Sequence, residues 1–256
     1  MVLKHLNLKD VEKIRLVLST YQDGGGMLPS KDGLTLPGWR DFERTIALVL
    51  NGKAQENKAV FDVLVPIPRK PLAMIGIACK MRGELDLLKR TGRVAFELSN
   101  SAGKFWGWLQ KGGLTSKTYF RNPKLVGRRL LKLVESWHLA VSTRRGGAVE
   151  LDKSFYLVLS WNRKGWYQLH QFKVDLPKPD TLRWYFPTKR CLRGDDQNGT
   201  LFEWYGESGG QLKYYPLSKK AVWRSPQFQL EPIKNAKQGL LAKAAAYFPE
   251  AWKQAQ

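Results

Sequence analysis

The run at residues 60–65 is the feature that most constrains the fold of this chain. It is apolar at both alternate sets of positions, with Asp62 as the one exception. Successive side chains of a strand point to opposite faces of a sheet, so a run of this kind must be covered on both faces. The pattern predicts a central strand. Asp62 is then a carboxylate among apolar neighbours, which is costly without a partner.

The periodicity around this run predicts an α/β fold whose second half, from Ser154 onward, is rich in strands. No repeat, low-complexity tract or linker interrupts the chain, so we predict one domain over residues 1–256. Helices are expected at residues 8–20, 39–50, 94–109, 124–139 and 236–254. Strands are expected at residues 60–65, 73–81, 155–161, 166–174, 182–186, 201–205, 212–215 and 223–230. Loops are expected at residues 82–93, 193–199 and 206–210.

The charge balance indicates a polyanionic partner. The chain has 43 Lys and Arg against 22 Asp and Glu, a net charge of +21. Residues 1–100 hold 16 basic and 11 acidic residues, whereas residues 101–256 hold 27 and 11. Lysine and arginine that neutralise phosphates release condensed counterions, so such an excess favours nucleic acid as the partner. No basic amphipathic helix stands out as a membrane-surface segment.

The remaining composition indicates a cytoplasmic protein that does not enter a membrane. No apolar run approaches the length of a membrane span, and the N-terminus lacks the apolar core of a signal peptide. The two cysteines, Cys79 and Cys191, fit a reducing compartment. Together with only three histidines, they do not form a zinc-binding pattern.

Asp62 belongs to a group of residues whose spacing suggests a common site. Strand alternation places Lys80 on the same face as Ala78 and Gly76. If the two strands are neighbours, an acid and a lysine project over small residues that leave room for an ion, a water and a phosphate. Glu97, on the predicted helix that follows, lies at the edge of the apolar stripe and can point towards the strands.

This set of side chains suits phosphodiester hydrolysis. Carboxylates provide the oxygen ligands that a hard cation such as Mg²⁺ requires. A lysine next to the scissile phosphate neutralises the charge that develops in the transition state. The residues therefore predict a metal-dependent nuclease.

Residues 40–110 resemble the PD-(D/E)XK nuclease superfamily, which includes many type II restriction endonucleases. The resemblance is carried by the segments FDVLV (61–65), GIACKMR (76–82) and FELSNS (96–101). Phe61 replaces the nominal proline, and Ala78 stands where the second motif acid is expected. One branch of the superfamily supplies that acid from the next helix, and Glu97 follows Lys80 by 17 positions. The alternatives are that Glu84 or Asp86 replaces it, or that Ala78 is an inactivating substitution.

The resemblance implies a restriction-endonuclease-like mixed central sheet flanked by helices, with a β-rich basic C-terminal half. The catalytic core would span about residues 40–175, and residues 176–235 would contact DNA. Asp62, Glu97 and Glu43 would bind Mg²⁺, for which Mn²⁺ can substitute, and Lys80 would position water and stabilise charge. The implied partners are double-stranded DNA, a second copy of the chain and a companion DNA methyltransferase.

Basic residues near aromatic dipeptides are the expected DNA contacts of the second half. Trp184-Tyr185, Trp204-Tyr205 and Tyr214-Tyr215 lie among lysines and arginines, a combination that suits contact with the backbone or with bases. The candidate DNA-binding residues are Arg82, Lys104, Lys189, Arg190, Arg193 and Lys213.

Simpler interpretations of the same residues stay open. Asp62 and Lys80 could form a structural salt bridge, and Glu97 could pair with Arg93 one helical turn away. The chain would then be a non-catalytic DNA- or RNA-binding protein. A second alternative is a nuclease of the same superfamily that serves repair or mobile elements and prefers structure over sequence.

Overall fold

The computed structural model describes residues 5–30, 34–55, 60–68, 70–207, 210–234 and 236–255. Its fold is mixed α/β. Among the described residues, no helix has both the length and the apolar character needed to cross a membrane. The helices are α1 (Leu8–Ser19), α2 (Trp39–Val49), α3 (Leu85–Thr91), α4 (Ala102–Gln110), α5 (Pro123–Ala140), α6 (Gly239–Tyr247) and α7 (Pro249–Gln254). The strands are β1 (Leu28–Pro29), β2 (Thr35–Leu36), β3 (Lys53–Ala54), β4 (Val63–Ile67), β5 (Lys70–Arg82), β6 (Phe96–Ser99), β7 (Phe155–Trp161), β8 (Trp166–Lys173), β9 (Arg183–Thr188), β10 (Cys191–Asp196), β11 (Gly199–Tyr205), β12 (Gln211–Tyr214), β13 (Trp223–Arg224) and β14 (Phe228–Gln229).

A mixed sheet with the order β13-β8-β7-β5-β4-β3 forms the centre of the fold, and β14 also pairs with β8. Strands β5 and β7 are parallel, and the other pairs are antiparallel. The predicted central position of residues 60–65 is wrong, because β4 begins at Val63 and only the two-residue β3 lies beyond it. Asp62 is therefore the residue just before the strand, where its N–H donates to the carbonyl of Ile77.

Both faces of the mixed sheet are covered, each by a separate hydrophobic core. On one face, α1 and α2 pack Ile14, Phe42 and Ile46 against strand residues such as Ile75 and Ile77. On the other face, α4 and α5 pack against the sheet together with a second sheet of order β6-β12-β11-β10-β9. The alternation along β5 thus divides its side chains between the two cores, as expected for a strand covered on both faces.

The predicted helix at residues 94–109 is wrong in its first half. Residues Phe96–Ser99 form β6, which pairs with β12, and helix α4 starts only at Ala102. The ring of Phe96 lies between those of Tyr156, Phe172 and Tyr214, so tertiary packing outweighs the helical spacing of the sequence.

Further corrections concern short elements. The predicted charged loop contains α3, and the predicted loop at residues 193–199 contains most of β10, which pairs on both sides with β9 and β11. The predicted strand at residues 223–230 is divided into β13 and β14. Part of the predicted loop at residues 206–210 lies outside the described residues, since 208 and 209 are not included.

Helix α5 contacts the second sheet through a glycine. A Cβ atom built on Gly127 would overlap the indole ring of Trp184, which projects from β9. The side chain of Trp184 is 7% exposed, and its Nε1 donates to the carbonyl of Pro179 at 2.8 Å. The glycine therefore allows helix and sheet to approach closely.

We expect Gly127→Ala to lower the free energy of unfolding by up to about 2 kcal/mol. The alanine gains about 1 kcal/mol of helix propensity, but overpacking a filled core costs about 1–3 kcal/mol. Gly107→Ala in α4 is the matched control, because a Cβ there has no heavy atom within 4 Å. The control should gain up to about 1 kcal/mol. Urea unfolding of both variants checks the pair, and a gain at both positions would contradict this account of the helix contact.

Candidate active site

A cleft of about 720 Å³ lies between α2 and α5, near the C-terminal end of β5. Its polar lining includes the four residues that the sequence predicts for catalysis: Glu43, Asp62, Lys80 and Glu97. Helix α2, strand β5 and strand β6 each supply one of them, and Asp62 comes from the segment just before β4. The fold thus brings together side chains that are up to 54 positions apart in the sequence.

Asp62 is held firmly by its neighbours. Its Oδ2 accepts a hydrogen bond from the N–H of Cys79 at 2.8 Å and lies 3.9 Å from the Nζ of Lys80. Burial raises the pKa of Asp62, and the charge of Lys80 and the Cys79 hydrogen bond only partly oppose this. Asp62 is therefore a fixed carboxylate whose negative charge is incompletely compensated by the protein.

Glu43 adds a second carboxylate to the same region. Burial, and next the charge of Asp62, raise the pKa of Glu43 to about 7, against the opposing influence of Lys80. Helix α2 is fixed at its start by Asp41, whose Oδ2 accepts hydrogen bonds from the N–H groups of Gly38 and Met27 at 2.8 and 2.9 Å. The charge of Asp62 disfavours the charged form of Glu43, and a cation near both carboxylates would relieve that repulsion.

The space beside these residues differs from the sequence prediction. Gly76 was expected to leave room for an ion and a phosphate, but the ring of Phe61 fills the position that a Gly76 side chain would take. Ala78 does line the cleft. Ala78, two residues closer to the end of β5 on the same face, is therefore the small residue that keeps the cleft open.

Glu97 reaches the cleft from a strand and not from a helix. It lies in β6, where its register partner on β12 is Lys213. The alternative pairing with Arg93 is wrong, since the guanidinium of Arg93 bonds Asp196 and the carbonyl of Tyr215, both at 2.7 Å. Glu97 thus faces the cleft from the wall opposite α2.

Asp62 and Glu43 are the carboxylates of the cleft that could hold a cation together with waters or substrate. Among the residues that the structure describes, no three His, Cys, Asp or Glu side chains form a group that could hold a metal ion. Mg²⁺ commonly uses only one or two protein carboxylates and keeps waters or substrate phosphates as its other ligands. Asp62 and Glu43, which influence each other electrostatically, are the pair that fits this description best.

His138 is a lining residue that the sequence analysis did not single out. It projects from α5 into the cleft, and its Nε2 lies 3.3 Å from the hydroxyl oxygen of Tyr156. Burial, and next the charge of Lys80, lower the pKa of His138 to about 4. The ring is therefore neutral at physiological pH. Its position on the buried face of α5 gave no sequence signal that would separate it from core residues.

The proposed substitute ligands lie elsewhere. Glu84 accepts a hydrogen bond from Arg82 at 2.7 Å, and Asp86 accepts one from the side-chain amide of Asn162 at 3.0 Å. Both carboxylates are thus bonded to neighbouring side chains near the start of α3, and neither lines the cleft.

The candidate DNA-binding residues fall into two groups. Arg82 and Lys104 line the cleft, and the Nζ of Lys104 lies 5.6 Å from the ring centroid of Trp137. The others belong to the second sheet, where Arg193 lies on β10 and not in a loop. The contacts of this second group are Lys189 with the ring of Phe120 at 5.4 Å, Arg190 with Glu207 at 3.7 Å, Arg193 with Glu203 at 2.9 Å and Lys213 with the ring of Tyr205 at 5.0 Å.

Comparison with known proteins found no relative of this chain. No protein-family model, curated protein or solved structure matches the chain.

We expect Glu43→Gln to stabilise the protein at pH 8 by about 1 kcal/mol, after allowance for solvent screening, and to change little at pH 5. Folding raises the pKa of Glu43 from 4.5 to about 7, so the folded state holds the extra proton between these values. The free energy of unfolding therefore falls as pH rises through this window, and glutamine removes that loss.

The measurement is urea unfolding of the wild type and the variant at both pH values. Glu12→Gln is the matched control, because Glu12 is an exposed residue paired with Arg15 at 2.8 Å. The control should gain no stability at pH 8. An equal effect of Glu43→Gln at the two pH values would show that the charge of Glu43 is not the cause.

Proposed function

We propose that this protein is a Mg²⁺-dependent endonuclease that hydrolyses double-stranded DNA, built on a restriction-endonuclease-like core. The observation that carries the proposal is the meeting of two mutually repelling carboxylates, Glu43 and Asp62, with Lys80 in one open cleft. The mixed sheet with helices on both faces is compatible with such a core. The net charge of +21 supports a polyanionic substrate.

Each residue of the cleft has a distinct task in this proposal. Asp62 and Glu43 hold the cation, which when bound supplies charge neutralisation at the phosphate and lowers the pKa of a coordinated water. The ammonium group of Lys80 stabilises the negative charge that develops on the phosphate oxygens. Glu97, on the opposite wall, orients the attacking water or completes the ligation once the substrate is bound.

The resemblance stated above extends the proposal to a type II restriction enzyme. Such an enzyme would cut unmethylated DNA in the cytoplasm, with Mn²⁺ able to replace Mg²⁺. A companion methyltransferase would protect the DNA of the host. Cleavage of both strands at a symmetric site requires two active sites, so we expect a homodimer.

A non-catalytic nucleic-acid-binding protein is the second candidate, and one contact favours it. Lys80 already lies 3.9 Å from Asp62, as a purely structural ion pair would. This candidate does not account for the raised pKa of Glu43. A second carboxylate that Asp62 repels adds no stability to a purely structural ion pair.

The test is cleavage of several unmethylated phage DNAs with Mg²⁺ and with Mn²⁺. We expect discrete fragments from the wild type and a loss of at least about 100-fold in rate for Asp62→Asn and Lys80→Ala, as for loss of a main electrostatic contribution. DNA binding in Ca²⁺ should persist in both variants. Glu84→Gln is the matched control, since it removes a carboxylate just outside the cleft, and it should cut at nearly the wild-type rate.

Two additional variants decide which residue replaces the motif acid. Loss of cutting by Glu97→Gln supports Glu97, whereas cutting by Ala78→Glu alone assigns the acid to position 78. Cutting only at ends or junctions would favour the repair or mobile-element nuclease. Binding without cleavage by the wild type and by Ala78→Glu would establish the second candidate.

A further inference from the structure

Three tyrosines project from the outer face of the second sheet. In each aromatic dipeptide of this sheet, the first residue is buried in the core and the second is half-buried on the other face. Strand alternation produces this division. Trp184, Trp204 and Tyr214 face the core, whereas Tyr185, Tyr205 and Tyr215 form what we call the tyrosine face.

Two carboxylates fix the hydroxyl groups of the tyrosine face. The hydroxyls of Tyr205 and Tyr215 donate to Oε2 of Glu203 at 2.8 and 2.7 Å, and that of Tyr185 donates to Oδ2 of Asp195 at 3.1 Å. Burial raises the pKa of Glu203, but the bonds from Tyr215, Tyr205 and Arg193 outweigh it and the net pKa is lowered. The rings are therefore anchored at their polar ends.

Cations dominate what this face presents to solvent. The side chains of Arg183 and Arg193 are 77% and 40% exposed, whereas those of Asp195 and Glu203 are 15% and 10% exposed. Two cations also lie on the rings, with the guanidinium of Arg183 4.9 Å from the centroid of Tyr185 and Nζ of Lys213 5.0 Å from that of Tyr205. Both acidic groups are largely covered, so a ligand meets mainly aromatic rings and positive charge.

The tyrosine face is continuous with the cleft. The strand register aligns Glu97, Lys213, Glu203, Arg193 and Tyr185 in one row across the sheet. Glu97 at one end of this row lines the cleft, and Tyr185 at the other end lies four strand spacings away, about 19 Å.

We propose that the tyrosine face binds single-stranded DNA, with unpaired bases stacked on the rings and phosphates paired with the surrounding cations. Base stacking on aromatic side chains is worth about 1–3 kcal/mol per base, and a duplex keeps its base faces covered. All three hydroxyls are occupied by carboxylates, so this binding is tolerant of sequence. The inference rests on the proposed function for its choice of nucleic acid, and it goes beyond it by adding a separate site.

The test is fluorescence anisotropy of the full chain with a labelled 20-nucleotide single strand of mixed sequence and with a blunt duplex of the same sequence. EDTA is present, so the result does not depend on cleavage. We expect Tyr185→Leu to weaken binding of the single strand about tenfold and binding of the duplex less than twofold, whereas Tyr185→Phe keeps the ring and the affinity.

Tyr247→Leu is the matched control, because Tyr247 is an exposed tyrosine of α6 outside this face. It should bind both DNAs as the wild type does. Near-UV circular dichroism of each variant verifies the fold. Unchanged binding of the single strand by Tyr185→Leu, an equal loss for both DNAs, or an unmodified chain that binds no single strand would each overturn the proposal. Cleavage of duplex DNA alongside any of these results would leave the nuclease proposal intact.

Discussion

The burial of the Asp62 carboxylate next to Lys80 is the interaction around which the rest of the structure is arranged. Removing a carboxylate from water costs several kcal/mol, and one backbone hydrogen bond with one ammonium at 3.9 Å recovers only part of it. Glu43 adds a second carboxylate to the same region, and its charged form is disfavoured there. Folding alone does not favour this arrangement, so the two hydrophobic cores must hold it in place.

The two hydrophobic cores fix the position of Lys80 because they pack on opposite faces of β5, the strand that carries it. Ile75 and Ile77 of β5 are buried against α1 and α2, while Ala78 belongs to the core on the α5 side. The parallel pairing of β5 with β7 continues to Arg82, past Lys80, so the lysine is fixed within a hydrogen-bonded strand. This paired part of β5 lines the cleft, which lies between α2 and α5.

Local patterns in the sequence predict the parts of this structure that depend on near neighbours. The helices α1, α2 and α5 and the antiparallel strands β7 and β8 confirm the elements predicted from spacing alone. Strand β6 was missed because its pairing with β12 joins residues more than 110 positions apart. The sequence also did not predict that the ring of Phe61 fills the space beside Gly76. The reason is related, because the position of that ring depends on the folded chain. The proximity of Asp62 and Lys80 was predictable because a charged residue in an apolar run is visible without the fold.

Glu203 and Glu43 differ in how far their neighbours stabilise the charged form. This difference distinguishes a structural carboxylate from a carboxylate of the candidate site. Glu203 is buried and receives hydrogen bonds from Arg193, Tyr205 and Tyr215, which lower its net pKa. For Glu43, burial and repulsion by Asp62 prevail over the nearby cations and raise the pKa to about 7. A saturated carboxylate has its lone pairs engaged and serves to fix its neighbours, here the tyrosine face. In the proposed function, the Glu43 and Asp62 carboxylates, which their neighbours compensate only in part, would supply the oxygen ligands that a hard cation favours.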